Sequence, residues 1–327
     1  MTSRNVADIH SEQSIRAVIS LDETVLGNAE RAFTKISSGS VLIPPVQQII
    51  VDEHHGQTCI KSGYLLGDKY FVVKAASTFH ENANRGLKNT SGCMLIFSAI
   101  TGYVDTILMD NGYLTAIRTG AAGAVAARHL SREDSTTATI LGAGLQASLQ
   151  LRALCLVRPI KQARIWSRTF ARSKVTAAKL TESLGFDVKA MDNLELACDD
   201  TDIIVSCTPS TVPILSHDLI APGTHITAMG ADAPGKSELS PDLPLIADAY
   251  VCDSLEQCRK YGELEKSISS GLTDQDTRYP ELGEVISGQV NGRLSDHDIT
   301  VCDLTGVGIQ DLEIALLAKQ RIESANT

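Results

Sequence analysis

"TATILGAGLQASLQL", residues 137–151, decides the fold. Five residues of β-forming character run into Gly142-Ala143-Gly144, and apolar residues then recur at helical spacing. Gly142, Gly144 and Ala147 fit G-x-G-x-x-[GA]. In that pattern the first glycine permits a tight turn and the second lets a pyrophosphate approach the backbone. The small third residue lets the helix pack on the sheet and aim its N-terminus at negative charge. A glycine turn can also be packed for structural reasons alone. The order strand, turn, helix points instead to dinucleotide binding.

Downstream, strand-like and helix-like stretches alternate. Strands fit "TATIL", "ARIWS", "FDVKA", "DIIVSCT", "THITAMG", "AYVCD" and "ITVCD", the signature of an α/β doubly wound parallel sheet. Upstream the texture differs. A helix is predicted over "DETVLGNAERAFTKISSG" (22–39), stopped by Gly39, and strands over "QQIIVD", "TCIKSGYL", "YFVVKAAS", "CMLIFSA" and "YVDTILM". The Thr101-Gly102 turn between the last two predicts a hairpin. This half reads as an α+β unit with an antiparallel sheet. The alanine-rich "AIRTGAAGAVAARHL" (116–130) is helical and bridges the two units, and a last helix, "IQDLEIALLAKQRI" (309–322), returns across the first. The predicted domains are therefore 1–115 with the C-terminal helix 306–327, and 116–305.

The bulk properties bound the function. The chain has 327 residues, 43% hydrophobic and 21% charged, with net charge −10, an ordinary globular composition. The acidic balance argues against a nucleic-acid partner. "MTSRNVADIH" shows no signal peptide, and no apolar run is long enough for a membrane span. Eight cysteines, never as CxxC, read as thiols in a reducing cytoplasm, with no metal indicated.

The strand after the glycine turn bears on which dinucleotide. NAD-selective folds place an acid at its end to accept from the ribose 2′-OH. Here Ser167, Arg168 and Thr169 follow, with Arg172 one turn later. Missing carboxylate and nearby guanidinium suit a 2′-phosphate, so NADP(H) is favoured over NAD(H); stacking of Arg168 on the adenine face is the other reading. Thr208, closing "DIIVSCT", joins the expected cofactor contacts. On the substrate side, "THITAMGADAPGKSEL" (224–239) ends a strand and presents Asp232, a candidate general acid or base. Lys74 interrupts the apolar "FVVKAAS", and Arg118 opens a helix amid glycine and alanine that leave room for a ligand. The two could clamp a carboxylate. Taken singly, Asp232 reads equally as a turn residue, and Lys74 and Arg118 as salt-bridge partners.

"LMDNGYLTAIRTGAAGAVAARHL" (108–130), "LGAGLQA" (141–147) and "AMGADAPGKSEL" (228–239) resemble the ornithine cyclodeaminase/μ-crystallin family, over nearly the whole chain. "DNGYLTAIRTGAAGAVAARHLSRED" and "LVRPIKQARIW" most resemble its ectoine-utilisation branch. The resemblance implies a Rossmann domain beside an N-terminal dimerisation and substrate domain, hence a homodimer, and activities ranging from cyclodeaminase to imino-acid reductase. By it, Lys74 and Arg118 match carboxylate-binding positions, Asp232 the catalytic acid/base, with Lys74 beside it at the reaction centre, and Gly144 and Gln146 the cofactor turn. Where the family commonly carries an arginine after "PP", "PPVQQ" offers Gln47 and Gln48. The implied function is NAD(P)H-dependent reduction of a small α-imino acid, of the iminosuccinate-to-aspartate type. A dicarboxylate would need a further cation, for which Lys61 and Lys236 are candidates, each otherwise a solvated lysine. A cyclodeaminase and a non-catalytic μ-crystallin-like binding protein are the alternatives.

Overall fold

The computed structural model describes residues 6–325; the first five residues of "MTSRNVADIH" and the last two of the chain lie outside the described residues. In order the chain forms β1 (Asp8–Ser11), α1 (Glu12–Val18), α2 (Glu23–Ser37), β2 (Val41–Leu42), β3 (Gln47–Val51), β4 (Gly56–Leu65), β5 (Tyr70–Phe79), β6 (Thr90–Ser98), β7 (Val104–Met109) and α3 (Tyr113–Leu130). It continues as β8 (Thr137–Leu141), α4 (Leu145–Val157), β9 (Gln162–Trp166), α5 (Phe170–Leu184), β10 (Val188–Met191), α6 (Leu194–Cys198), β11 (Ile203–Ser206) and β12 (His225–Ala228). Then come α7 (Leu243–Ile246), β13 (Ala249–Cys252), α8 (Leu255–Tyr261), α9 (Glu263–Ser269), α10 (Leu282–Ile286), β14 (Thr300–Asp303) and α11 (Gly308–Ala325). Contacts divide the chain into two compact units, one running to residue 118 and resuming at 307, the other spanning 119–306.

The first unit is built on a sheet ordered β1-β7-β6-β5-β4-β2, with β3 also on β4. From β4 to β7 it is an antiparallel meander, with Gly102 at φ 74° in the predicted hairpin turn. It is not purely antiparallel: β1 lies parallel to β7. That strand escaped the sequence pattern because "DIHS" has neither apolar alternation nor β-branched bulk beyond one isoleucine; β7 alone supplies its ladder. α2 follows its pattern closely. Asp22 caps its N-terminus by accepting from the Val25 amide at 2.9 Å, and Val25, Leu26, Ala29, Ala32, Phe33 and Ile36 are buried. Period-two alternation puts Val72, Met94, Ile96 and Leu108 into the core. α11 packs on α2, β4, β5 and β6.

The second unit carries an all-parallel sheet ordered β10-β9-β8-β11-β12-β14-β13. Every residue of β8, β11, β12 and β14 is buried, as expected for strands covered on both faces. The order reverses direction between β8 and β11, the switch point where such sheets bind ligands at their carboxyl edge. Among the described residues, no helix is long and apolar enough to cross a membrane. No group of three or more His, Cys, Asp or Glu could hold a metal ion there either.

Candidate functional site

In the second unit the glycine turn leaves β8 at the switch point. Gly142 adopts φ 132°, and a Cβ on it would lie 2.8 Å from Cys207 Sγ and 3.0 Å from the Cys207 carbonyl. Only glycine fits. Around Gly144, by contrast, a Cβ would meet nothing within 4 Å, so that position is open for a ligand to approach the backbone. Thr176 on α5 donates to the Ala143 carbonyl at 3.0 Å and fixes the turn from behind. Ala143, Gly144, Ser167, Arg168, Thr169, Arg172, Cys207, Thr208 and Ser210 line one cleft of about 230 Å³. Five of the residues assigned to the cofactor from sequence, namely Gly144, Ser167, Arg168, Thr169 and Thr208, thus border a common space. Gly142 and Gln146 do not line it. Gln146 is the second residue of α4, and its side-chain Oε1 accepts from Gln150 Nε2 at 3.3 Å. Ser167 Oγ is engaged locally, 3.0 Å from the Thr169 carbonyl and 2.8 Å from Ser173 Oγ.

The cleft residues fit a dinucleotide: a glycine cradle that a side chain would fill, and two exposed arginines, Arg168 and Arg172, with no acid among the lining residues. The strand ends beyond it are clipped together by a residue not picked out in the sequence. Buried Glu238 accepts from the Thr208 amide at 2.6 Å and the Gly230 amide at 2.8 Å, joining the ends of β11 and β12. Burial pushes its carboxyl up, against the pull of these donors. Asp232 sits two residues beyond Gly230, on the same carboxyl edge, half exposed and paired with Lys236. Lys236 is therefore tied to Asp232, which redirects its expected role as a free second cation.

The first unit holds a different arrangement. Lys61 and Lys74 stand directly opposite each other on β4 and β5, and both are buried. Like charges opposed across a ladder repel, and burial adds desolvation. Asp311, in the first turn of α11, offsets part of this. Its Oδ2 lies 2.7 Å from Lys74 Nζ and its Oδ1 3.0 Å from Arg118 Nε. The Asp311 carboxyl, raised by burial, is pulled net downward by Lys74 and then Arg118. Burial lowers Lys74 to about 8, with Arg118 and Lys61 assisting and Asp311 opposing. Asp110, just before α3, accepts from the Leu114 amide at 2.8 Å, and burial raises its carboxyl. Two buried cations thus share one carboxylate, and the charge of Lys61 acts on it as well.

Several expectations need correcting. Arg118 does not open its helix but lies in the second turn of α3. The small residues after it make room for α4 and not for a ligand: a Cβ on Gly120 would sit 3.4 Å from Leu149 Cβ, and one on Gly123 would overlap Gln150 Oε1. Lys61 is buried and not a solvated lysine. Lys74 and Arg118 do carry the salt bridges that were their plainer reading, but both to one acid. Gln48 registers against Cys59, two residues from Lys61, on the face that bears both lysines, whereas Gln47 registers against Ile60 on the other. Asp311 and Gln310 were missed. An acid in a helix's first turn is ordinary, so only the two opposed lysines could have signalled that it was needed.

The profile of the ornithine cyclodeaminase/mu-crystallin family matches residues 5–326. The chain belongs to this family. A relative in Rhizobium meliloti (strain 1021) is 45% identical over 318 residues, covering 97% of this chain and 96% of its own. Among solved structures, the Δ1-pyrroline-2-carboxylate reductase of Thermococcus litoralis, in complex with NADH and L-proline, superposes with TM-score 0.91 at 29% identity, over 98% of each chain. The iminosuccinate reductase of Paracoccus denitrificans, in complex with NAD⁺, gives TM-score 0.89 at 28% identity, over 98% of this chain and 97% of its own.

Proposed function

We propose that this chain is an NAD(P)H-dependent reductase of a small α-imino acid, of the iminosuccinate-to-aspartate type. The carrying observation is the buried pair of cations, Lys74 and Arg118, that share the single carboxylate of Asp311. Excess positive charge in a dry site is costly, and a substrate carboxylate relieves it while being fixed in orientation. Lys74 and Arg118 hold the α-carboxylate. Lys61, with Gln48 as a neutral partner on the same face, takes the second carboxylate of a dicarboxylate substrate. A bound reduced nicotinamide supplies the hydride; the imine carbon receives it, the nitrogen receives a proton, and the products are the amino acid and the oxidised cofactor. Asp232 delivers that proton and regains one from water. Lys74, at the reaction centre, keeps the carboxylate from leaving as the C=N bond is reduced.

Gly144 and Thr208 cradle the dinucleotide, with Gly142 shaping the turn and Gln146 beginning the helix behind it, and Ser167, Arg168 and Thr169 receive the adenosine ribose. With no acid at that strand end, NADPH is preferred. The chain works as a homodimer through the sheet face of the first unit that α11 does not cover. There Phe71 and Phe97 stack at 4.9 Å, and a groove of about 400 Å³ is lined by Leu42, Pro44, Tyr64 and Val73. An apolar patch of that kind marks an association surface.

The test is a screen of iminosuccinate, Δ1-pyrroline-2-carboxylate, and pyruvate with ammonia, each with NADH and with NADPH. Stoichiometric consumption of reduced cofactor with formation of the amino acid is expected. Conversion of L-ornithine to L-proline and ammonia without net cofactor change would make the chain a cyclodeaminase. Cofactor binding with no turnover in any arm would make it a binding protein.

A further inference from the structure

α11 begins against β4 at a point where neither side tolerates a side chain. A Cβ on Gly308 would fall 2.1 Å from the Ser62 carbonyl oxygen, and one on Gly63 would fall 2.6 Å from the Gly308 carbonyl carbon. The two glycines press the first helical turn onto the strand beside Lys61. That turn then delivers two consecutive polar side chains, Gln310 and Asp311, both at least 98% buried. Asp311 is the counter-ion already described. Gln310 is not needed for charge.

The orientation of the Gln310 amide follows from its neighbours. The Val307 amide lies 3.1 Å from its Oε1 and Arg118 Nη1 lies 3.4 Å from it. Both neighbours are donors, so the oxygen must face them and the NH₂ must face away. That NH₂ is buried and has no hydrogen-bond partner among the described residues. An orphaned buried donor costs about 1–3 kcal/mol, and native proteins rarely leave one without a reason. Here it sits on the side chain that also holds Arg118, next to the acid that holds Lys74.

We propose that Gln310 Nε2 donates a hydrogen bond to the carboxylate of the substrate, as a neutral third contact beside Lys74 and Arg118. The assignment rests on the carboxylate clamp proposed above. It gives the first turn of α11 two tasks: Asp311 orients the cations, and Gln310 meets the ligand directly. A neutral donor adds an oriented contact without increasing the repulsion among three buried cations.

Two measurements on the full chain, with saturating oxidised cofactor and with L-proline, L-alanine and L-aspartate as probes, test this. The first is the dissociation constant of the tightest probe for wild type, Gln310→Met and Lys74→Met. The second is the side-chain ¹⁵N–H₂ signals of Gln310 in wild type, identified by their loss in Gln310→Glu. Expected are a weakening of about 10- to 100-fold in Gln310→Met, the scale of a hydrogen bond to a charged group, and a clear shift of the Gln310 signals on saturation. Unmoved Gln310 signals overturn the proposal, even if Gln310→Met fails to fold. So does unchanged affinity in Gln310→Met while Lys74→Met loses binding, and the clamp then stands without Gln310. If Lys74→Met also binds normally, or no probe binds at all, the clamp itself falls and this contact with it.

Discussion

The two units place charge in opposite ways. In the first, Lys74, Arg118 and Asp311 are buried, locked in distances of 2.7 and 3.0 Å, and carried by one strand and two helices. In the second, Asp232 and Lys236 form a half-exposed pair on one loop, and Arg168 lies exposed at a strand end. Buried charge holds geometry, at a cost in desolvation that the protein tolerates where a ligand must be oriented. Exposed charge contributes little to stability but can exchange protons with water. On the proposed reading, binding belongs to the first kind and proton transfer to the second.

The largest expected effect breaks the comparison on the exposed side. Asp232→Asn keeps a hydrogen-bonding side chain but cannot pass a proton. Turnover should fall by about 10²- to 10⁴-fold, the usual scale for loss of a general acid or base, while probe and cofactor dissociation constants stay close to wild type. Turnover within about threefold of wild type would return Asp232 to a loop residue paired with Lys236.

On the buried side the matching change concerns stability. Asp311→Asn leaves Lys74 and Arg118 without their shared counter-ion, and breaking a buried pair costs about 3–5 kcal/mol. Denaturant titration should show a loss of that order. Lys236→Ala, which breaks the exposed pair, should change stability by less than about 1 kcal/mol. Similar losses in both variants would erase the distinction between the two regions.

A smaller effect sharpens the buried side through pH. Lys74 is lowered to about 8 by burial, with Arg118 and Lys61 adding to it. Carboxylate binding needs its ammonium form, so affinity is complete below about 8 and is lost as pH rises through that value. The profile of kcat/KM should therefore bend downward above about pH 8, and Lys74→Arg, which stays charged, should remove the bend. A bend that survives the substitution would belong to another group.

Legibility followed the same division. The parallel sheet and its glycine turn were readable because each rests on a local rule: β-formers, then a position only glycine can occupy at Gly142, then helical periodicity. Lys74 stood out as a charge inside an apolar strand. What could not be read was the answer to that charge. Asp311 lies 237 positions from Lys74 and meets it only because Gly63 and Gly308 let α11 settle on β4. Glu238 was invisible for the same reason, since its partners are two backbone amides with no sequence signature. β1 was missed because its ladder comes from β7 and not from its own residues. Small residues around Arg118 misled, being the mark of close packing by α4.

The smallest effect belongs to the exposed strand end. Ser167, Arg168 and Thr169 border the cleft below the glycine turn, and no acid stands there to select a ribose 2′-OH. Contact between the Arg168 guanidinium and a 2′-phosphate would be a charge-assisted bond, but at an exposed position solvent and salt screen it. Arg168→Ala should therefore weaken NADPH by about tenfold and NADH by less than about twofold, a gap that narrows as ionic strength rises. Titration of each reduced cofactor by its fluorescence, at low and high salt, reads both numbers. If the two cofactors weaken equally and without salt dependence, Arg168 stacks on the adenine face instead. Adenine is common to both dinucleotides, and its loss carries no charge term for salt to screen.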